Sequence, residues 1–564
     1  MPSDYWQRWN TLRASRRRFV GGGLATGAGV AGLALVGCGD DDDDTGGTTA
    51  TGTAATGTAA TSTGTTAAQP KKGGTLRQLL TGSPRSLDPA FDTFPANGAV
   101  TLKTNEALLR FKPDFSAIEP ELATAMPEQP DPLTFVFKVR KGVKFHNVAP
   151  VNGREMTSED VKYSIERQMT DEAGKFQHAY FFLGFVDKIE TPDAETVTFK
   201  MAKNYAPFIS YVASPWTQII NQETVEKEGD LTQTAVGTGP FIFKEWQKDV
   251  KFELTANPDY WQKDKGLPYL DGVQILISTD LDTAATLLIE KKVDTHVAGQ
   301  AQKGRILDAR KGDTNYQAVP SQFWRQMRMQ PTQKDKPYKA PFDDARVREA
   351  IVRAVDDKQI LDLVYNGDGI KTHGPILPIY PLWALKDSVV DFDVKKAKDL
   401  MSSAGSPKIS APMIWATGNA QADQIGEILK QQLSAIGVDL ELQPMETAAY
   451  YNQTYAYDYT FSHHVPLNNP DPDENLSAYF GRNSRFFKFY DEAIWTLIDK
   501  QAETLDLKER QAIVQDVQKQ IVQKYPMKFM FTTNRHDFVD SRVKGWTYPV
   551  DLYDGRTTTA WIDA

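Results

Sequence analysis

Leu133-Thr-Phe-Val-Phe-Lys-Val-Arg140, with Thr157-Ser-Glu-Asp160 shortly after it, is the stretch that decides the fold class. Phe135, Phe137 and Val139 fall on alternate positions, the pattern of a strand with one buried face. Val197, Phe199 and Met201 repeat it and predict a second strand. After Thr157 the period changes: Val161, Ile165 and Met169 stand four apart, behind a hydroxyl residue followed three positions on by an acid. That is the pattern of a capped helix start. Strand and helix periods in one short segment predict a mixed α/β body.

The same alternation of periods continues to the carboxyl end. Asp344 opens a predicted helix with Val347, Ala350, Ile351, Ala354 and Val355 on one face. A second, through Ile360, Leu361 and Val364, stops at Asn366-Gly367, where glycine can adopt the left-handed conformation of a helix end. Ile425, Ile428, Leu429, Leu433 and Ile436 mark another, ended by Gly437, before Val438, Leu440 and Leu442 alternate as a strand. Ile513, Val517 and Ile521 mark a last helix, closed by Pro526. These stripes are read as core. Gly237-Thr-Gly-Pro240 reads as a sharp turn into the strand Phe241-Ile-Phe243, needing residues without Cβ and a fixed proline φ.

A chain of 564 residues should divide into about two to four domains. Residues 1–38 carry a net +4 against −9 for the whole, so the remainder carries −13. An acidic body argues against a nucleic-acid partner. The one cysteine, Cys38, leaves the body without a disulfide, a thiolate nucleophile or a cysteine metal site.

Cys38 ends a segment with its own logic. Arg16-Arg17-Arg18 precedes an uncharged run from Phe19 to Gly37 that holds seven glycines, too many for a good membrane helix. Gly27-Ala-Gly-Val-Ala-Gly32 fits the dinucleotide pattern GxGxxG but lacks the strand and the downstream acid that pattern requires. Ser15-Arg16-Arg17-Arg18-Phe19-Val20 resembles a twin-arginine export signal, and Leu35-Val36-Gly37-Cys38 resembles a lipobox that would leave Cys38 as the lipid-attachment residue. Residues 39–72, rich in Asp, Thr, Gly and Ala, read as a disordered tether. The protein is therefore expected to be exported and lipid-anchored to the outer face of the cell membrane.

Five strings, taken in order, resemble one family. They are Leu133 to Arg167, with TFVFKVRKGVKFHN and MTSEDVKYSIER; Ser86-Leu-Asp-Pro89; Gly237-Thr-Gly-Pro240 with Asn257-Pro-Asp-Tyr-Trp261; Pro341-Phe-Asp-Asp344 with Arg346-Val-Arg348 and Asp356; and Pro470-Asp-Pro472. Together they resemble the family 5 extracellular solute-binding proteins of ABC importers, the oligopeptide-, dipeptide- and nickel-binding type. The resemblance implies an α/β fold of the periplasmic-binding-protein type, with two lobes around a hinged cleft and an additional smaller domain. It places lobe I at 73–106, 204–300 and 526–564, the extra domain at 107–203 and lobe II at 301–525.

It also implies a ligand loop. In peptide-binding members an aspartate shortly before the Asp-Pro pair receives the peptide amino terminus. Aligned on Pro470-Asp471-Pro472, this chain has Asn468 there and Val465 in place of an aromatic residue. An amide offers an ammonium only neutral hydrogen bonds. Asp471 or Asp473 could compensate. His464 is a candidate for pocket lining; adjacent His463 and His464 should point to opposite faces of a strand, so one ion would not take both. Phe94, Trp324 and Trp415 are candidate aromatic walls. No metal or cofactor is expected.

Enzyme motifs are missing: there is no HExxH, GxSxG, phosphate loop or cysteine nucleophile. The reading is a monomeric binder, not an enzyme, that captures a solute, foremost a peptide, and delivers it to an ABC permease. Its alternatives are a non-peptide solute (an oligosaccharide, a metal chelate or another small organic molecule) and a secreted hydrolase. Two carboxylates facing each other across the cleft would favour the hydrolase.

Overall fold

The computed structural model describes residues 69–92, 95–169, 176, 182, 184–467, 469–484, 486–548 and 557–563. The leader with Cys38, nearly all of the 39–72 tether, Phe94 and Asn468 lie outside that set. Among the described residues no helix is long and apolar enough to cross a membrane.

The deciding stretch folds as its periods demand. Thr134–Lys138 pairs antiparallel with Thr196–Met201, which sets Phe135 opposite Phe199 and Phe137 opposite Val197. All four side chains are buried, each contributing roughly 1.5–3 kcal/mol by leaving water. The two strands form the centre of a four-stranded sheet flanked by Glu128–Asp131 and Val186–Asp193. Helix Ser158–Met169 begins where expected: the Thr157 N–H donates to Asp160 Oδ2 at 2.8 Å. Both terminal nitrogens of Arg154 donate to the same carboxylate, at 2.9 and 2.6 Å.

The larger sheet has eleven strands. One half is Thr295–Ala298, Thr75–Leu80, Gly272–Ile277, Lys251–Ala256 and Phe241–Gln247; the far end of the other half is Val438–Met445, Ile409–Ala416 and Phe461–His464. Between them lie two long antiparallel strands, Thr314–Met329 and Met527–Asp540, with Gly369–Lys371 beside the latter. Each long strand borders one half and pairs with the other long strand. Met527–Asp540 sets Val539 opposite Thr295, while Thr314–Met329 sets Gln326 opposite His464. Their mutual register shifts between Pro320 and Trp324, midway along the crossing.

The helix stripes pack inward: Ile425, Leu429 and Leu433 of Ala420–Ser434 and Val517 and Ile521 of Leu507–Gln523 are buried. Gly437, at φ +80°, turns the chain into Val438–Met445. Helix Asp357–Tyr365 ends one residue earlier than expected, on Asn366 itself at φ 53°, whose N–H bonds the Leu361 carbonyl. Asparagine tolerates this conformation because its short amide clashes little with the backbone. The apolar interior of the four-stranded sheet runs on into that of the 301–525 region, with Phe115 and Tyr380 rings 5.6 Å apart. The strands Thr75–Leu80, Phe241–Gln247 and Gly272–Ile277 enclose a separate cluster.

Candidate ligand-binding site

Two of the recognisable segments, Gly237-Thr-Gly-Pro240 and Asn257-Pro-Asp-Tyr-Trp261, meet at one buried carboxyl group, that of Glu106. It accepts from the Tyr260 hydroxyl at 2.9 Å, from the Trp261 indole N–H at 3.1 and 3.0 Å, and from the Thr238 hydroxyl at 2.9 Å. Burial and then the charge of Glu121 push this carboxyl up to about 7. His146 joins from the signature string, with Nε2 3.0 Å from the Gly239 carbonyl, and burial lowers its pKa to about 4. The glycines are needed for proximity, not for a left-handed turn. A Cβ on Gly237 would stand 2.2 Å from the Thr104 carbonyl oxygen, and one on Gly239 2.6 Å from that of Lys103. These residues hold three segments together and have their hydrogen bonds inside the joint.

The loop after strand Phe461–His464 is anchored in the same manner. Asp471 caps helix Pro472–Phe480. It accepts from Arg510 at 2.6 and 3.2 Å, from the Ser210 hydroxyl at 3.1 Å and from the Asp473 N–H at 2.9 Å. Asp473 accepts from the hydroxyls of Tyr205 and Tyr211 at 3.1 Å each and of Ser477 at 2.7 Å, and from the Gln501 amide at 2.6 Å. Both carboxylates are therefore occupied. The idea that either replaces an amine-binding aspartate meets this difficulty: the lone pairs are already taken. Trp324 is also interior: fully buried, it stacks on Phe529 with ring centroids 5.5 Å apart.

Strand Phe461–His464 presents a different environment. It lies between Thr314–Met329 and Ile409–Ala416, and its two histidines do point to opposite faces. On one face the Tyr450 hydroxyl meets Ser462 Oγ at 3.0 Å and His464 Nδ1 at 2.7 Å, two residues apart along the strand. Burial, then the nearby charge of Arg328, hold the His464 pKa well below the usual range. Burial lowers His463, on the other face, to about 3. Cross-strand from His464 and Ser462 stand Gln326 and Arg328. With its amide oxygen turned toward Arg328, Gln326 accepts from Nε and Nη2 at 2.8 Å each, and the Phe486 carbonyl accepts from Nη1 at 2.8 Å.

Aromatic rings continue from this cluster to the surface. Tyr451 lies edge-on to His464 at 6.2 Å and stacks on Tyr455 at 5.7 Å; Tyr455 approaches Phe486, which packs on Tyr479. Tyr455 keeps 48% of its surface open. Even so, burial raises its hydroxyl pKa, and the charge of Arg85, from the other half of the protein, is felt there.

Trp415 lies elsewhere, at the carboxyl end of Ile409–Ala416. Its indole N–H donates to Asp423 at 2.8 Å, its ring lies against Gly426, and it lines a cavity of about 760 Å³ with Leu363, Leu442 and Pro444. Among the described residues no group of three His, Cys, Asp or Glu side chains could hold a metal ion. Sequence reasoning passed over Arg328, Tyr450 and Arg510.

Comparison with known proteins adds the following. A family model described as bacterial extracellular solute-binding proteins, family 5 Middle, matches residues 117–486. Di/tripeptide-binding protein 1 of Pseudomonas aeruginosa (strain UCBPP-PA14) is 28% identical over 488 residues, 79% of this chain and 86% of that protein. Heme-binding protein A of Haemophilus influenzae is 28% identical over 452 residues, 72% of this chain and 79% of that protein. Among solved structures, AgaA from A. tumefacien R10 in complex with agropinic acid superposes with a TM-score of 0.75 at 26% identity, over 87% of this chain and 99% of that chain. DppA from Helicobacter pylori, in complex with peptide STSA, gives 0.75 at 24% identity, over 88% and 99%.

Proposed function

The chain belongs to the bacterial extracellular solute-binding proteins of family 5 and has the α/β fold of periplasmic binding proteins, and from that premise we propose that its solute is a peptide. The observation that carries the peptide reading is the similarity, over 72–79% of the chain, to several di/tripeptide-binding proteins. The protein takes the solute between its two halves and delivers it to an ABC permease. Thr314–Met329 and Met527–Asp540, with their register shift between Pro320 and Trp324, supply the connection about which the halves close. Solute contacts made only in the closed form shift the population toward it. The lobe boundaries follow the crossings, with 107–203 as the smaller domain.

The leader adds the address. Arg16-Arg17 directs export and Cys38 carries the lipid, so that the body works as a tethered monomer on the outer face of the membrane. One acyl chain holds only marginally, so the anchor uses more than one. Within the site, His464 and Asn468 face the solute together with Phe94, while Trp415 belongs to the rim; Asp471 acts through the loop it anchors.

A second reading, a non-peptide solute, draws on a specific observation: Asn468 replaces the expected amine-binding acid, and Asp471 and Asp473 are occupied. Relatives named for heme and for agropinic acid support this second reading. A thermal-shift screen of the purified protein against di- and tripeptides, sugars and metal chelates decides. Peptides should raise the melting temperature; a rise with another class alone would replace the peptide reading.

A further inference from the structure

The cavity beside Trp415 lies at the carboxyl ends of strands Ile409–Ala416 and Val438–Met445 and holds about 760 Å³, a volume within the roughly 300–1,000 Å³ of small-molecule pockets. It is on the face of the sheet turned away from the Tyr450 hydroxyl. Side chains alternate along a strand, and Ile414 packs with Tyr450 and Tyr459, so the ring of Trp415 takes the opposite face, against Gly426 of helix Ala420–Ser434. That helix adds Ile428, helix Asp357–Tyr365 adds Leu363 and Val364, and strand Val438–Met445 adds Leu442 and Pro444. Leu363 keeps 65% of its surface open at this apolar lining.

Two carboxylates accompany the apolar walls. Asp423 and Glu427 stand four residues apart on helix Ala420–Ser434, hence on one side of it, and both line the cavity. Asp423 Oδ1 accepts from the Trp415 indole N–H at 2.8 Å, which leaves Oδ2 open. The lysines of the lining elements are engaged elsewhere: Lys358 pairs with Asp362, and Lys430 with Asp439. Among the described residues, neither Asp423 nor Glu427 has a cation within ion-pair distance. A hydrated inorganic ion would gain nothing from the apolar walls, and an anion would be repelled. An ammonium carried on an apolar body uses both halves of the lining.

We propose that this cavity is a second binding site, which takes a small organic cation with an apolar body, such as an arylalkylamine. Its apolar part lies against Trp415, Ile428 and Leu442, and its positive end meets Asp423 and Glu427. The proposal does not rest on the peptide reading, because the sheet separates this cavity from the Tyr450 and His464 cluster. Apolar burial supplies most of the affinity, while the exposed carboxylates set the preferred charge and contribute a modest factor.

The experiment is titration calorimetry on the purified protein with three probes of one shape: 3-phenylpropylammonium, 3-phenylpropan-1-ol and 3-phenylpropionate. The ammonium should bind about fivefold more tightly than the alcohol, and the carboxylate more weakly than either. Glu427→Gln should cut the advantage of the ammonium to about half or less, and Leu363→Lys, which sets a cation of the protein at the cavity, should abolish it. Both positions are open to solvent, and an unchanged melting temperature confirms that each variant is folded; if one is not, the other decides. Saturating Ala-Leu-Ala should leave ammonium binding unchanged, and where that tripeptide does not bind, the variants decide alone. Equal binding of ammonium and alcohol overturns the proposal. So does ammonium binding that both variants leave intact or that Ala-Leu-Ala displaces, since the probe then sits elsewhere. Binding of N-acetyl-Lys-Leu-Lys-amide without binding of the small ammonium overturns it as well, in favour of a basic segment of another protein.

Discussion

The joint at Glu106 and the cluster at Arg328 each bury an ionisable group, and they treat it in opposite ways. Glu106 is met by three donors drawn from two strings of the chain, and burial with Glu121 nearby favours its protonated form. Arg328 cannot shed its proton and is met by neutral groups, two carbonyl oxygens, the Tyr459 hydroxyl and aromatic rings. The difference follows from the groups themselves. A carboxyl meets burial by keeping its proton, whereas a guanidinium keeps its charge and has to be surrounded by dipoles and rings.

Arg510 provides the sharpest way to break that comparison, because it is as deeply buried as Arg328 but has its acid. Arg510→Met should strand Asp471 without its cation and lower stability by about 3–5 kcal/mol. Arg328→Met strands no carboxylate and should cost far less, within about 1–2 kcal/mol. Urea denaturation of the two variants side by side checks this; equal losses would mean that neutral groups hold Arg328 as firmly as an acid holds Arg510.

The joint itself can be probed by a single methyl group. Gly237→Ala places a Cβ against the Thr104 carbonyl, a backbone atom that cannot move aside cheaply, and should cost about 1–3 kcal/mol. Ligand affinity of the folded fraction should be unchanged, as calorimetry below the melting range would reveal. A fall in affinity with intact stability would place the joint in the site.

Glu106 adds a pH test of smaller size. Its carboxyl is raised from 4.5 to about 7, so folding favours the protonated form. The resulting stabilisation is fully present below about pH 4.5 and is lost as pH rises through about 7. Glu106→Gln should flatten that part of the profile, by about 1–2 kcal/mol once the shared charge of Glu121 is discounted. Stability of wild type minus variant, measured from pH 4.5 to 8, isolates the effect, since His146 and His463 act in the other direction in both proteins.

How much of this was legible in the sequence follows from the same contrast. Phe135, Phe137, Val161 and Ile165 announced their elements because burial imposes a period on neighbours in sequence. The strings around Gly237, Asn257 and His146 were recognisable, but their convergence on Glu106 joins residues up to about 150 apart, which no local pattern encodes. The opposed histidines were readable from strand geometry alone. Arg328 was not, because a lone arginine in a strand usually reaches solvent, and only the fold shows that this one is enclosed.

Asn468 gives the smallest effect and the finest test of where recognition lies. An aspartate there would offer a peptide ammonium a charged partner in place of an amide, roughly doubling the strength of that hydrogen bond. Asn468→Asp should therefore strengthen binding of free-amine tripeptides by about fivefold to tenfold, on the order of 1 kcal/mol. The N-acetyl tripeptide should gain nothing, because it has no ammonium. The C-terminal amide should gain as much as the free acid, because the two ends are read by different residues and contributions from separated groups add. Calorimetry on the three peptides with wild type and variant tests both halves of the expectation. A gain confined to the free acid would mean that the two ends of the ligand are read as a single unit. No gain with any peptide would remove position 468 from the site.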